Sequence, residues 1–265
     1  MLELYYFPTA TCGYKARLTL AEKGVDFTHR VLDRDAGALV TPEYLALNPN
    51  AVVPTMVHDG EVIIESSIIM VYTDTAFDGP ALQPPSALGQ ARVAAWLKQA
   101  DERYLPALGA VTYGLFRRKA ILTKTPEELE AYYLEIPDPE RRAQRRAVVE
   151  QGIGAPNVRN GFLTLDRMLA DMEAALADTG FLTGQGYGLA DAALTPFVSR
   201  LDELAMGWMW DQRPHLARWW EAVRERPSFD IVFGAFPDPE RKAGLRDAGT
   251  EAHDGVRRIL AGDRP

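Results

Sequence analysis

The chain has 265 residues, of which 47% are apolar and 25% charged, and carries a formal net charge of -8. That composition describes an ordinary folded protein of one large or two modest domains. It excludes nucleic acid or an anionic membrane as the main partner, because both reward clustered Lys and Arg. The opening MLELYYFPTATCGYKARL has no basic segment followed by a long apolar one, and no transmembrane-length apolar run occurs anywhere, so the protein is expected to stay in the cytoplasm with no membrane partner. Cys12 is the only cysteine, which precludes an intramolecular disulfide and suits a reducing compartment.

In chain order, LELYYF (2–7) reads as a strand and KARLTLAEKG as a helix stopped by Gly24. DFTHRVLD (26–33) reads as a second strand. TPEYLALN (41–48) reads as a short helix opened by Thr41 with Pro42 in its first turn. PTMVHDGEVIIE reads as a hairpin turning at Asp59-Gly60, because tight hairpins demand positive φ there, and SSIIMVYTDTAF as a third helix. The order βαβαββα, with its first two strands joined through a helix and therefore parallel, is a small α/β domain.

DGPALQPPSALG (78–89) is the one stretch dense in Pro and Gly between regular segments, and the patterning after it is helical. We expect domains at 1–78 and 86–265, with helices at 86–122, 160–178, 189–205, 214–226 and 228–235. The charged segment EIPDPERRAQRRAVVEQGIGAP is expected to be partly helical at its start. PDPER recurs at 237–241, read as two unrelated turns in which Asp caps and Pro opens a helix.

The stretch VVPT followed by DGEVIIES carries chemistry. If Val53-Pro54 is cis, the Val53 N–H and C=O turn outward together and can pair with an extended peptide. Ser66 stands at the mouth of a helix whose first N–H groups have no internal partner, so its hydroxyl and that positive end suit a carboxylate. Glu65 beside it suits an ammonium, and together they fit an α-amino acid zwitterion. Taken singly, Ser66 also suits a plain helix cap and Val-Pro a plain turn.

These motifs, with AEKG and PEYLALNP, resemble the thioredoxin-like domain of a glutathione S-transferase. GFLTG (180–184), LADAALTPF (189–197) and RPHLARWWEAVRERPSF (213–229) are similar to the helical domain of the same superfamily. The resemblance implies an α/β plus all-α fold: a thioredoxin-like glutathione-binding domain, then a helical-bundle domain holding the acceptor. It also implies an enzyme using glutathione as co-substrate, and a twofold homodimer. Val53 with Pro54 would hold the cysteinyl backbone, Glu65 and Ser66 the γ-glutamyl end, and Asp191 would open a helix that stabilises the second domain. Two departures stand out. Ala51 and Val52 replace the Gly and long polar residue that often precede Val-Pro in the family, and Gly188 replaces the usual Ser or Thr cap of the Asp191 helix.

Only the thiolate of glutathione attacks, so the site must supply a hydrogen bond or positive potential near the sulfur. Three residues are candidates: Tyr6, by its spacing to Lys23-Gly24; Cys12, in CGYKAR; and Thr11 beside it. Tyr6 also suits simple packing in the sheet and Thr11 a simple cap, while Cys12 at a helix start could itself be the thiolate. Arg17 is expected to be a structural ion-pair partner. The acceptor, a small aromatic or otherwise hydrophobic electrophile, would lie between the domains against Tyr14, Tyr104, Tyr113, Phe116 and Trp208, although aromatics at helical spacing also suit a core. Segment 135–160 resembles the bacterial β-etherase branch, which implies aryl ether cleavage, and Arg141, Arg142, Arg145 and Arg146 read as a solvated face. The four histidines show no metal-ligand spacing, so no metal is expected. The alternatives are a Cys12-dependent thiol–disulfide oxidoreductase and a non-catalytic ligand-binding protein on the same fold.

Overall fold

Strand β1 (Leu2–Tyr6) buries Leu2, Leu4 and Tyr6 on one face, leaving Glu3 and Tyr5 partly exposed on the other, which is the alternation expected of a strand with helices on one side. The computed structural model describes residues 1–33, 36–136, 138–184 and 186–262. After β1 come α1 (Thr11–Lys23), β2 (Thr28–Val31), α2 (Pro42–Leu47), β3 (Thr55–His58), β4 (Glu61–Ile64) and α3 (Ser66–Ala76). The sheet order is β2-β1-β3-β4, with β1 parallel to β2 and antiparallel to β3, and β3 antiparallel to β4. This is the expected βαβαββα arrangement. Leu2, Leu4, Tyr6, Ala16, Leu20, Met56 and Ile69 form its core.

The local signals act as the sequence indicates. Gly24 ends α1 at φ 66, with its N–H returned to Leu20 and Ala21, and Thr41 caps α2 by accepting from the Tyr44 N–H. The hairpin turns through Asp59 at φ 51 and Gly60 at φ 91, the pair of positive values that a two-residue hairpin requires. Ala51 also holds a positive φ, 53, at the position where relatives of the motif often carry glycine.

The chain divides into two compact units. One comprises Met1–Ala100, Ala175–Val198 and Arg218–Pro237; the other comprises Asp101–Ala174, Ser199–Ala217 and Asp238–Pro265. The helices after α3 are α4 (Ala87–Gln99), α5 (Leu105–Thr112), α6 (Arg118–Ile121), α7 (Pro126–Leu134), α8 (Pro139–Gln151), α9 (Pro156–Leu176), α10 (Leu189–Glu203), α11 (Pro214–Arg224), α12 (Pro227–Phe233) and α13 (Pro239–Leu260). The helix expected at 86–122 is interrupted by π-turns at Ala100–Tyr104 and Tyr113–Arg117. Pro106 accounts for the first, since it has no N–H to offer the carbonyl one turn back.

Helix α7 was not anticipated, α13 extends the single turn expected at the second PDPER into a long helix, and α8 runs through most of the segment expected to be only partly helical. The first proline of PDPER, Pro137, lies outside the described residues. Asp138 and Asp238 cap α8 and α13 by accepting from the Arg141 and Arg241 N–H groups, with Pro139 and Pro239 opening the helices. Of the arginines expected on a solvated face, Arg141 is exposed and Arg146 makes its pair at the surface, while Arg142 and Arg145 are drawn into local contacts. Arg142 donates to the Ile136 carbonyl at 2.9 Å, Arg145 lies 3.5 Å over the Tyr113 ring, and Arg146 pairs with Glu130 at 2.5 and 2.7 Å.

In the first unit, Asp191 is fully buried and accepts from the Leu182 N–H, the Gly188 N–H and Trp219 Nε1 at 3.0, 3.0 and 2.8 Å. Gly188 is explained by crowding: a Cβ there would come 2.6 Å from the Leu82 carbonyl, so the serine or threonine of related sequences has no room. Burial pushes the Asp191 carboxyl up to about 6 against the pull of these three donors. An unfolded aspartate titrates near 3.9, so the contribution of this group is fully present below about pH 4 and is lost as pH rises toward 6. The stability advantage of the wild type over Asp191→Asn is predicted to shrink by about 3 kcal/mol between pH 4 and pH 7, read from denaturant unfolding at each pH. Ala51→Gly is predicted to raise stability by about 1 kcal/mol, because glycine accepts the left-handed backbone without a Cβ penalty; thermal unfolding checks this, with a rise of about 2 to 4 °C expected.

Candidate functional site at one end of the sheet

Strand register decides which loops meet. Tyr5 pairs with Thr55, and Thr55 with Ile64. The C-terminal end of β1, the N-terminal end of β3 and the C-terminal end of β4 therefore lie at one edge of the sheet. Three segments start or finish there: the turn from β1 into α1, the Val53-Pro54 bend entering β3, and Glu65-Ser66 leaving β4.

Helix α1 begins at Thr11 after Ala10, which supplies no side-chain cap, and its first turn contains no acidic residue. Thr11 and Cys12 occupy its first two positions and are both partly exposed. A thiol or hydroxyl there feels the positive end of the helix, which favours a thiolate.

The Val53-Pro54 peptide is cis. Beneath the bend a buried network holds the Val52 carbonyl, which accepts from the Tyr44 hydroxyl at 2.5 Å and from Asn48 Nδ2 at 3.0 Å. Both groups also lie 3.0 Å from Thr55 Oγ1. Tyr44, Asn48 and Thr55 are all at most 3% exposed, so this clamp is rigid and desolvated. It was not foreseen from the sequence, although Tyr44 and Asn48 stand one helical turn apart in PEYLALNP. Among the described residues the Val53 main chain takes part in no backbone hydrogen bond.

Glu65 is exposed and holds φ 68, a left-handed value for a residue with a Cβ. Such backbone costs about 1 to 3 kcal/mol and collects at ligand sites. Ser66 follows as the first residue of α3, only 4% exposed, and no acidic residue stands in that first turn. Next to it, Ser67 Oγ accepts from the buried Lys15 ammonium at 2.9 Å, another contact the sequence did not signal.

Tyr6 faces elsewhere. Its ring is fully buried with Leu2 and Leu4, and its hydroxyl lies 2.7 Å from His29 Nδ1. Burial raises the phenol's pKa, partly offset by the Arg17 charge, and burial with the same charge lowers that of His29. A neutral His29 is thus the natural acceptor for this hydroxyl. Arg17 departs from the expected ion pair: among the described residues it meets no carboxylate, donating instead to the Val232 carbonyl at 2.8 Å and the Pro8 carbonyl at 3.4 Å. Its guanidinium also lies 4.8 Å from the Tyr6 ring centroid and 5.3 Å from that of Phe236.

The aromatic residues expected against the acceptor are placed as follows. Tyr14 is 7% exposed and stacks on Phe233 at 4.2 Å. In the second unit, Tyr104 is 1% exposed in the first π-turn, and Tyr113 opens the second beneath Arg145. Phe116 packs at Gly244 of α13, while Trp208 lies under Arg257 and against His253, further along the same helix. Gly244 and His253 are more than two helical turns apart, about 13 Å, so Phe116 and Trp208 do not share one cluster. Among the described residues no group of three or more His, Cys, Asp or Glu could hold a metal.

Comparison with known proteins gives this end of the sheet its context. The family model described as glutathione S-transferase, N-terminal domain, matches residues 11–76, and the corresponding C-terminal domain model matches residues 146–222. Over 242 residues the chain is 30% identical to glutathione S-transferase 3 of Zea mays, covering 90% of this chain and 96% of that one. The chain belongs to the glutathione S-transferase family. It is 27% identical to a tetrachloro-p-hydroquinone reductive dehalogenase of Sphingobium chlorophenolicum, covering 87% of this chain and 95% of the relative. LigF of Sphingobium sp. SYK-6 is 27% identical over 88% of this chain and 93% of its own. The crystal structure of that protein, a β-etherase, superposes with a TM-score of 0.77 over 89% of this chain and 99% of the other. As in this family generally, a thioredoxin-like domain precedes a helical one.

Tyr6→Phe is predicted to cost about 1 kcal/mol of stability by removing the bond to His29, measured by denaturant unfolding.

Proposed function

We propose that the chain is a glutathione-dependent transferase, with the glutathione site at the sheet edge where α1, the Val53-Pro54 bend and α3 meet. The observation that carries this reading is the register that brings an open helix start, an unpaired stretch of main chain and a second open helix start to the same edge. In this reading residues 1–78 are the glutathione domain and 86–265 the acceptor domain. The Val53 main chain pairs with the cysteinyl residue, Pro54 fixes its presentation, and Ser66 and the α3 N–H groups hold the γ-glutamyl carboxylate while Glu65 takes the ammonium. The thiol is activated at the start of α1 by Thr11 or Cys12. Tyr6 is the poorer candidate, because its hydroxyl is already engaged by His29 inside the core.

The thiolate sulfur then forms a bond to an electrophilic carbon as the bond from that carbon to its leaving group breaks, and the electron pair departs with the leaving group. Relatives named as a β-etherase and a hydroquinone dehalogenase support an aromatic acceptor, with a phenolate as leaving group where the acceptor is an aryl ether. Of the expected acceptor residues, Tyr113, Phe116 and Trp208 keep partly exposed side chains in the second unit and remain proposed contacts, Phe116 and Trp208 as alternatives, whereas Tyr14 and Tyr104 are buried. The homodimer and cytoplasmic location belong to the same proposal.

The position of Cys12 in the first turn of α1 favours a second reading, thiol–disulfide exchange through a Cys12 mixed disulfide. Two variants separate the readings. Ser66→Ala is predicted to raise the KM for glutathione about tenfold, in steady-state assays with an aryl ether or a halogenated aromatic; an unchanged KM would refute the γ-glutamyl assignment. Cys12→Ser is predicted to keep conjugation, since a hydroxyl still donates to the thiolate, and to abolish any glutathione-dependent disulfide reduction. Conjugation and reduction that both survive would remove Cys12 from the chemistry.

A further inference from the structure

Helix α8 carries two adjacent arginines with opposite surroundings. Arg146 is neutralised by Glu130, at 2.5 and 2.7 Å, and by Glu150 at 3.6 Å. Arg145 is half-buried and meets no carboxylate among the described residues; its guanidinium lies 3.5 Å from the Tyr113 ring centroid and donates to the Tyr132 hydroxyl at 3.3 Å. A second cation joins it. Arg117, also half-buried, has neither a carboxylate nor a hydrogen-bond partner among the described residues, and its charge reaches the same Tyr132 hydroxyl. Two guanidinium groups around one phenol repel each other, and partial burial lessens the screening that water and salt would give. An arriving anion turns that repulsion into attraction.

The second π-turn sets the two cations side by side, because it opens on Tyr113, which carries Arg145, and closes on Arg117. Neither that turn nor α6 after it contains a proline to account for it, and such turns gather at functional sites. The phenol between the cations is set to donate. A guanidinium only donates, so Tyr132 Oη accepts from Arg145 and keeps its own proton, and burial holds this phenol above its ordinary range. Tyr113, Tyr132 and Leu129 pack on Ile121, Tyr133 and Val149 while staying only partly buried themselves, which leaves an apolar rim beside the charges. Guanidinium groups match the planar carboxylate, and the rings suit a flat apolar body attached to it.

We propose that Tyr113, Arg117, Tyr132 and Arg145 form a binding site for an aromatic carboxylate. The inference goes beyond the transferase reading and does not rest on it, since these four residues belong to the second unit and the proposed glutathione residues to the first.

The experiment is calorimetric titration of 2-naphthoate, its uncharged counterpart 2-naphthamide, and acetate into wild type, Arg117→Gln, Arg145→Gln and Arg146→Gln, with thermal unfolding as the check on folding. Wild type should bind naphthoate about tenfold or more tightly than either naphthamide or acetate. Arg117→Gln and Arg145→Gln should each lose about tenfold for naphthoate while naphthamide stays within about twofold. Arg146→Gln, whose charge is already paired, should hold naphthoate within about twofold of wild type. Arg117→Gln carries the test should Arg145→Gln fail to fold, because Arg117 has no hydrogen bond among the described residues to lose. Equal binding of naphthoate and naphthamide by wild type, or binding of neither, would overturn the inference. Losses as large in Arg146→Gln as in Arg145→Gln would also overturn it, by reducing the site to a diffuse positive field, and acetate bound as tightly as naphthoate would overturn the aromatic assignment.

Discussion

The antiparallel register that sets Tyr5 against Thr55 and Thr55 against Ile64 is the constraint on which the site depends. A one-residue slip in either pairing would turn the buried faces outward and would displace the bend before β3 from the starts of α1 and α3. The register is held from both sides. Leu4, Met56 and their neighbours bury one face, and the Asp59-Gly60 turn fixes the β3–β4 hairpin at the other end. The candidate site therefore sits on loops, while its geometry is set by the strands behind them.

Helix α1 ties the loops to that frame in an unusual way. Its buried residues include Lys15, Arg17, Thr19 and Lys23, which an amphipathic pattern would place in solvent. Each of the three cations has partners inside the first unit. Lys15 reaches Ser67, Arg17 reaches the Val232 and Pro8 carbonyls, and Lys23 reaches Asp74 and the Pro80 carbonyl. Glu22 adds a bidentate pair with Arg226. Of these, Lys23–Asp74 is a buried ion pair, where removing one partner strands the other at a cost of about 3 to 5 kcal/mol, and together these contacts fix α1 in rotation as well as position. That fixation keeps its first turn, with Thr11 and Cys12, aimed at the same edge of the sheet.

The sequence disclosed the parts of this arrangement that depend on local punctuation. Gly24, Thr41-Pro42, Asp59-Gly60 and the paired Asp-Pro helix starts each impose one backbone geometry, and each appears where it was expected. It was poorer at long charged helices. α13 carries a thin apolar stripe of Leu245, Ala248, Val256 and Ile259 within a polar segment, and α7 offers little beyond its Thr125-Glu128 capping box; both need tertiary packing to be recognised. Side-chain direction was the least legible quantity. Tyr6 shares the parity of Leu2 and Leu4, which points to burial, but only the fold shows that His29 on β2 receives its hydroxyl. Likewise nothing in the order of residues reveals that Lys15 turns toward α3 or that Arg17 meets carbonyls rather than a carboxylate.

The departure at Ala51 and Val52 now has a physical account. The bend still takes its left-handed step at residue 51 although that residue has a Cβ, and the clamp of Tyr44, Asn48 and Thr55 on the Val52 carbonyl opposes relaxation of that conformation. The exposed Val52 side chain, however, cannot donate to a carboxylate as a long polar residue would. In the proposed reading, anchoring of glutathione therefore shifts from its glycyl end to its γ-glutamyl end, where Ser66 and the positive end of α3 coincide. A ligand held firmly at one end and loosely at the other pivots about the held end. In the same reading the cysteinyl sulfur lies between the two, so its placement against α1 depends heavily on the main-chain pairing at Val53.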